Sequence, residues 1–223
     1  MKYKGFIFDL DGVLIDSSRI HYHGWRDVLR GLNKDLDYGT FRQSFFGKRG
    51  QETLEIIFGK EKFSPEETKK ISDEVDSNFV KTVGQVGVPV SGALEFVRSL
   101  KESGEKVALA TSAPRQNVDA FLKAFVLRGI FDAEVCGDDV SSGKPDPEVF
   151  LKAASELNED TKNCVVFEDS LSGVTAAKAA GMTCVGLLTT TSREVLKAAD
   201  YFIEDFLDEG LKQIIVSKNK VKV

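Results

Sequence analysis

The chain has one fully apolar run near its start, Phe6-Ile7-Phe8, which stops at Asp9-Leu10-Asp11-Gly12-Val13, and no second strand-like run follows until about residue 106. A run that is apolar at every position reads as a strand covered on both faces, the pattern of a sheet flanked by helices. The first strand has no following core helix of its own, so it must join strands far down the chain, and what lies between is an insertion. Its two carboxylates sit where a buried strand ends, the edge on which open α/β sheets place their sites. Residues i and i+2 of an extended segment share a face, so both acids reach one small volume, and Gly12 lets the backbone turn away beneath them. Two anions that close repel unless a cation or a shared proton intervenes. A divalent metal is the natural third member.

The intervening stretch is helical in pattern. Trp25, Val28, Leu29 and Leu32 lie on one helical face, and Leu54, Ile57 and Phe58 mark a second, short helix. Ser64-Pro65-Glu66-Glu67 has capping-box spacing with Pro at the first helical position, and Ile71, Val75 and Phe79 continue it as one stripe. Residues 16–87 therefore read as a helical cap inserted into a core made of residues 1–15 and 88–223. Beyond Gly87-Val88-Pro89-Val90-Ser91-Gly92, strands are expected at 107–110, 133–136, 164–167, 183–187 and 201–203. They alternate with helices carrying Val118, Phe121, Leu122 and Phe125, running from Pro147 to Leu157, and running from Val174 to Ala180. The fold class is α/β, and linkers near Ile15 and Val88 suit opening and closing of the cap.

A net charge of −5 and the absence of a basic stripe argue against a nucleic-acid partner, with Lys218, Lys220 and Lys222 reading as a solvated tail. The apolar run before Asp9 is too short for a signal peptide or a membrane span, so a cytoplasmic monomer with no membrane partner is expected. Cys136, Cys164 and Cys184 are odd in number, far apart and set in apolar runs, the mark of buried reduced thiols.

Four features lie at or beside strand ends, and in a parallel sheet these points fall along one edge: Asp9 with Asp11, Thr111-Ser112, Lys144 in Gly143-Lys144-Pro145-Asp146-Pro147, and Glu168-Asp169. Singly, each has an ordinary explanation as a turn residue, a helix cap or a loop lysine. Together they supply a carboxylate nucleophile, hydroxyl donors, a fixed cation and a second acidic pair, which is a phosphate site with a metal. Phosphoryl transfer depends on positioning and charge neutralisation, which Lys144 and Mg²⁺ would provide. Asp9 would attack phosphorus, and Asp11 would protonate the leaving alkoxide and then take a proton from water. Hard oxygen ligands from Asp9, Asp169 and a backbone carbonyl suit Mg²⁺ better than zinc.

Phe8-Asp9-Leu10-Asp11-Gly12-Val13, Ala110-Thr111-Ser112, Gly143-Lys144-Pro145-Asp146-Pro147 and Phe167-Glu168-Asp169-Ser170 resemble the four motifs of the haloacid dehalogenase superfamily. The resemblance implies a Rossmann-like core with an α-helical cap, Asp9 as nucleophile, Asp11 as acid and base, and Thr111, Ser112 and Lys144 on the phosphate. It also implies a Mg²⁺ ion held by Asp9, the Asp11 carbonyl and Asp169, with Glu168 beside it. The branch is similar to β-phosphoglucomutase and to the small sugar-phosphate and phosphoglycolate phosphatases. Asp11 speaks against the dehalogenases and phosphonatases of the superfamily, which lack it.

The expected activity is therefore Mg²⁺-dependent hydrolysis of a small phosphorylated metabolite, with a phosphosugar mutase as the alternative. Asp16, Ser17, His21 and Trp25 resemble the mutase hinge, where a histidine helps activate the sugar hydroxyl. His21 is equally an ordinary cap-helix residue, and His23 is read as solvent-facing. Mutases also carry a cap arginine in a Gly-x-x-Arg loop and a cap lysine. Here Gly47-Lys48-Arg49-Gly50 brings Arg49 one residue early, and Val75 takes the lysine's place. Lys48 and Arg49 are left as possible substrate contacts or as a solvated basic loop. A phospho-receiver domain also combines acids, Thr or Ser and Lys, but its phosphorylated Asp follows the third strand and it has no such insertion.

Overall fold

The structure, a computed structural model, describes residues 2–46, 48 and 50–216. Strand β1 (Gly5–Phe8) is followed by β2 (Ile15–Asp16), helices α1 (Ser18–Gly31), α2 (Tyr38–Ser44), α3 (Gly50–Phe58) and α4 (Pro65–Val86), and then β3 (Val88–Pro89). Strands and helices alternate from there: α5 (Ala93–Glu102), β4 (Lys106–Ala110), α6 (Arg115–Ala124), β5 (Ala133–Val135), α7 (Glu148–Glu156), β6 (Cys164–Glu168) and α8 (Leu171–Ala179). β7 (Thr183–Leu187), β8 (Tyr201–Ile203) and α9 (Glu209–Ile215) complete the described chain.

The core is a six-stranded sheet in the order β5-β4-β1-β6-β7-β8, parallel throughout. β1 lies between β4 and β6, so it is covered on both faces and hydrogen-bonded on both edges. Strand alternation divides its side chains: Phe6 and Phe8 join Val107, Leu109, Val165 and Phe167 on one face, and Ile7 joins Ala108, Ala110 and Val166 on the other. The Ala-rich helix α8 packs on the second face, where Val174, Ala176 and Ala177 are buried.

Helices α1 to α4 carry a hydrophobic cluster of their own, with Trp25, Leu29, Phe41, Leu54 and Val75 among its buried members. The connections into and out of this bundle, β2 and β3, run antiparallel to each other, pairing Ile15 with Pro89 and Asp16 with Val88. The capping box that opens α4 is formed: Ser64 Oγ accepts from Glu67 N at 3.2 Å and Ser64 N donates to Glu67 Oε2 at 2.8 Å.

Helices α2, α5 and α9 appear where the sequence pattern marked none. α5 buries Leu94, Val97 and Leu100 against the sheet, a stripe overshadowed by the Gly-Pro punctuation just before it. α8 begins at Leu171, three residues before Val174, because Ser170 caps it through Gly173 N. β6 runs through Glu168, which makes the first of the acidic pair the last residue of a strand. The three cysteines are free and buried, and burial pushes Cys136 up to about 12 and Cys164 up to about 11. Lys218, Lys220 and Lys222 lie outside the described residues. Among the described residues no helix is long and apolar enough to cross a membrane.

Candidate active site

Because β1, β4, β6 and β7 run in the same direction, the segments that leave them gather at one edge of the sheet. Asp9 follows β1 directly, and its N–H donates to Phe167 O at 3.1 Å, which extends the pairing by one residue and fixes the start of the loop. Lys144, from the loop before α7, reaches into this edge with its side chain 5% exposed. Its Nζ donates to Asp9 Oδ1 at 2.7 Å and to Glu168 Oε1 at 2.6 Å, and lies 4.7 Å from the centre of the Phe150 ring. The lysine is a buried counter-ion, not a solvated loop residue.

Glu168 is held from its other oxygen, where Oε2 accepts from Asp169 N, Ser170 N and Ser170 Oγ, each at 2.9 Å. A Cβ on Gly173, on the first turn of α8, would overlap the Glu168 carboxylate, so the glycine leaves that space to the acid. Asp169 Oδ2 accepts from Thr190 Oγ1 at 2.5 Å. One carboxylate oxygen from each of Asp9, Glu168 and Asp169 lies within 4.8 Å of the others, and all three residues are buried.

This cluster is short of positive charge. Burial, together with the neighbouring acids Glu168 and Asp11, pushes Asp9 up to about 7 despite the Lys144 ammonium. Burial and the charges of Glu168 and Asp9 likewise hold Asp169 well above the usual carboxylate range. Burial disfavours the charged form of Lys144, but Asp9 and Glu168 outweigh it and raise its pKa. One ammonium cannot neutralise three carboxylates, and an oxygen-only donor set of this size is what a hard divalent cation takes. The residues present fit Mg²⁺.

The Asp11 carboxylate stands apart from that cluster. It accepts from Ser17 Oγ and pairs with His21 Nε2 at 3.2 Å. Burial disfavours its ionised form, but the His21 imidazole and the Ser17 hydroxyl outweigh this and hold it below the usual range. His21 shows the reciprocal effect: burial opposes its charge, and Asp11 and Asp76 raise its pKa. Gly12 has a φ of 76°, and a Cβ there would overlap the Asp169 carboxylate. Its carbonyl accepts from Thr189 Oγ1 at 2.6 Å, tying the loop after β1 to the loop after β7.

These groups open onto a cavity of about 340 Å³ between the sheet edge and the helical bundle. On the sheet side Thr111 and Ser112 line it past the end of β4. Thr111 Oγ1 accepts from Ala113 N at 3.1 Å, and α6 starts only at Arg115, so Thr111 does not cap that helix. On the bundle side the lining includes His21, Trp25, Phe46, Lys48, Val75 and Asp76. Lys48 is exposed and pairs with Glu52 at 2.7 Å. Arg49 lies outside the described residues. His23 is half-buried beside Tyr22, where the sequence pattern had it facing solvent.

Four residues of the site were not singled out by sequence as contributors to it. Ser17 carries in the sequence only a resemblance to a hinge. Thr190 follows a strand end on the productive edge and was reachable by the rule that found Thr111. Asp76 and Asn117 sit on helices α4 and α6, with no local signal to mark them.

The family model for haloacid dehalogenase-like hydrolases matches residues 3–181. The validoxylamine A 7'-phosphate phosphatase of Streptomyces hygroscopicus subsp. limoneus is 33% identical over 206 residues, covering 92% of this chain and 95% of that protein. The phosphorylated carbohydrates phosphatase of Thermotoga maritima is 38% identical over 181 residues, covering 80% of this chain and 82% of its own length. In three dimensions, CbbY from Rhodobacter sphaeroides in complex with phosphate superposes with a TM-score of 0.83 at 27% identity, covering 93% of this chain and 96% of that one. The chain belongs to the haloacid dehalogenase-like hydrolase family, as its four motifs imply, and its α/β architecture is that of the family's solved members.

Proposed function

We propose that the protein is a Mg²⁺-dependent phosphatase that hydrolyses a small phosphorylated metabolite, of the sugar-phosphate or phosphoglycolate type, through an aspartyl phosphate on Asp9. The observation that carries this reading is the buried Lys144 ammonium, shared between Asp9 at 2.7 Å and Glu168 at 2.6 Å with Asp169 close by. Relatives whose names specify phosphate esters of carbohydrates and of validoxylamine A support the same class of substrate.

In this reading residues 1–15 and 88–223 are the core, and residues 16–87 are a cap that closes over it on the β2 and β3 connections. Asp9, Asp169 and the Asp11 carbonyl would hold Mg²⁺ with Glu168 beside them, and the ion would supply positive charge against the carboxylates and the phosphate. Lys144 adds a fixed positive charge, and Thr111 and Ser112 offer hydroxyl donors to the phosphoryl oxygens. An Asp9 carboxylate oxygen forms a bond to phosphorus as the bond from phosphorus to the ester oxygen breaks. The departing alkoxide takes a proton from Asp11. That proton is at hand in the Asp11–His21 pair, and an arriving phosphate dianion favours its transfer onto the carboxylate. Water then attacks the acyl phosphate and gives a proton to Asp11, and inorganic phosphate leaves with Asp9 restored.

The contact of His21 with Asp11 at 3.2 Å favours the alternative of a phosphosugar mutase, since it would place a histidine beside the acceptor hydroxyl. Against it stand Val75 and Asp76, which line the cavity where a mutase needs a second clamp for an anion.

Phosphate release from a panel of sugar phosphates and phosphoglycolate, with Mg²⁺ or with EDTA, tests the reading. Turnover should need the metal and fall on the order of 10⁴-fold in Asp9→Asn. Turnover retained in that variant, or indifferent to EDTA, removes the mechanism. Conversion of β-glucose 1-phosphate into the 6-phosphate faster than phosphate appears replaces hydrolase with mutase.

A further inference from the structure

Asp76 and Asn117 take no part in the chemistry above, yet they meet inside the same cavity from opposite sides. Asp76 is on α4 of the bundle and Asn117 is on α6 of the core, and Asn117 Nδ2 donates to Asp76 Oδ1 at 2.9 Å. Asn117 is 1% exposed, and its own Oδ1 has no partner among the described residues. A buried carbonyl oxygen without a donor is a penalty that an apolar side chain of similar shape would not carry. Packing therefore does not account for an asparagine at this position. Holding a carboxylate does.

The leaving-group oxygen must lie beside Asp11, which protonates it in the proposed reaction. Asp76 is in that neighbourhood, lining the cavity together with Asp11 and His21; burial raises its pKa, while the Asn117 hydrogen bond and the His21 imidazole favour its carboxylate form. It therefore faces the organic part of the substrate. Asn117 occupies one carboxylate oxygen and leaves the other without a donor among the described residues. An acceptor of this kind recognises hydroxyl groups, and its charge repels a second anion. Trp25, buried in the same wall, adds a flat apolar surface for the carbon face of a sugar or polyol.

The geometry points to Asp76, held in place by Asn117, as the residue that selects the leaving group. It accepts a neutral alcohol with a hydroxyl in reach, as in a sugar or polyol monophosphate, and it rejects leaving groups that carry a second phosphate or a carboxylate. This rests on the phosphatase reading and narrows it. Selection works through attraction for one class and repulsion of the other.

The test compares kcat/KM for glucitol 6-phosphate, fructose 1,6-bisphosphate, phosphoglycolate and acetyl phosphate in the presence of Mg²⁺. The native protein should prefer glucitol 6-phosphate to both anionic esters by at least about tenfold. The nearly isosteric Asp76→Asn should shrink that preference by about tenfold, lowering kcat/KM for the polyol ester while raising it for the bisphosphate. Asn117→Leu should shift the ratio in the same direction by a smaller factor. A native preference for the anionic esters, or an equal fall for both classes in Asp76→Asn, overturns the proposal and leaves the phosphatase reading intact. No turnover of any of the four, acetyl phosphate included, removes the phosphatase reading and this proposal with it.

Discussion

The two walls of the cavity are built on different principles. On the core wall the charged groups of the acid cluster are fixed by neighbours in the core, Lys144 between Asp9 and Glu168, Glu168 by the backbone and hydroxyl of Ser170, and Asp169 by Thr190, while Asp11 alone is held from the bundle side. The strands beneath are paired in parallel on both edges, so these positions are set by the most buried part of the molecule. The bundle wall carries Trp25, Phe41, Phe45 and Phe46, which belong to a separate hydrophobic cluster, and meets the core through contacts such as Asn117 to Asp76 and Arg42 Nη2 to Thr189 O at 3.0 Å. Preorganised charge stabilises a transition state common to all phosphate esters, whereas a separately packed wall can differ in shape and polarity without disturbing that charge. Under the proposed function, phosphoryl transfer belongs to the first wall and choice of substrate to the second, with His21 the bundle residue that touches the chemistry, through Asp11.

Substitutions on the core wall should then lower turnover of every ester by the same factor. Asp9→Asn is the extreme case. Lys144→Met should come next, with a loss on the order of 10³-fold in kcat that does not depend on the leaving group. Removing the ammonium also strands buried acids, so the folded state should lose about 3 kcal/mol at neutral pH. Urea denaturation reads the second effect and steady-state kinetics the first. A loss in Lys144→Met that varies widely between esters would break the division between the walls.

Metal dependence sharpens the same contrast through pH. Without metal, Asp9 holds its proton up to about 7 because burial and the neighbouring acids disfavour its charge, and Asp169 is raised in the same direction. In the unfolded chain these carboxyls release their protons near about pH 4. Across the window from about 4 to 7 the folded state binds more protons, so the stability of the metal-free protein falls as pH rises. A cation bound by the ionised acids reverses that loss and must displace protons at low pH. The rise in Tm on adding Mg²⁺ should therefore be larger at about pH 8 than at about pH 5.5. An equal or opposite trend would mean that the acid cluster is not where the ion binds.

The same division explains what could be read before any coordinates. Asp9, Thr111 and the Glu168-Asp169 pair were legible because each lies at or beside an apolar strand, and parallel strands bring such points to one edge regardless of the rest of the fold; Lys144 was legible from its Gly-Lys-Pro-Asp-Pro setting in the loop between β5 and α7. Thr190 obeys the same rule, but in Thr189-Thr190-Thr191 no charge distinguished it from an ordinary loop. Asp76 and Asn117 were not legible. A helix turns its side chains through all directions, and which one reaches the cavity is decided by how α4 packs on α6, which no local pattern encodes. Asp11 was found but not its partner geometry: its pairing with His21 depends on the angle at which α1 leaves the β2 connection.

The smallest expected effect asks whether the helical bundle can be weakened without touching the site. Ser64 closes the capping box at the start of α4, twelve residues before Asp76 on the same helix, a separation of about 18 Å at 1.5 Å per residue. Ser64→Ala removes the acceptor for Glu67 N and should cost about 1 kcal/mol of stability. Ser64→Asp, which restores an acceptor at the same place, should recover most of it. Because the lost bond frays only the first turn, amide exchange should accelerate at residues 66–68 and stay slow around Asp76, with kcat unchanged for every ester. If kcat fell together with stability in Ser64→Ala and returned in Ser64→Asp, the far end of α4 would be setting the active geometry, and the bundle could not be treated as a wall whose packing is independent of the chemistry it covers.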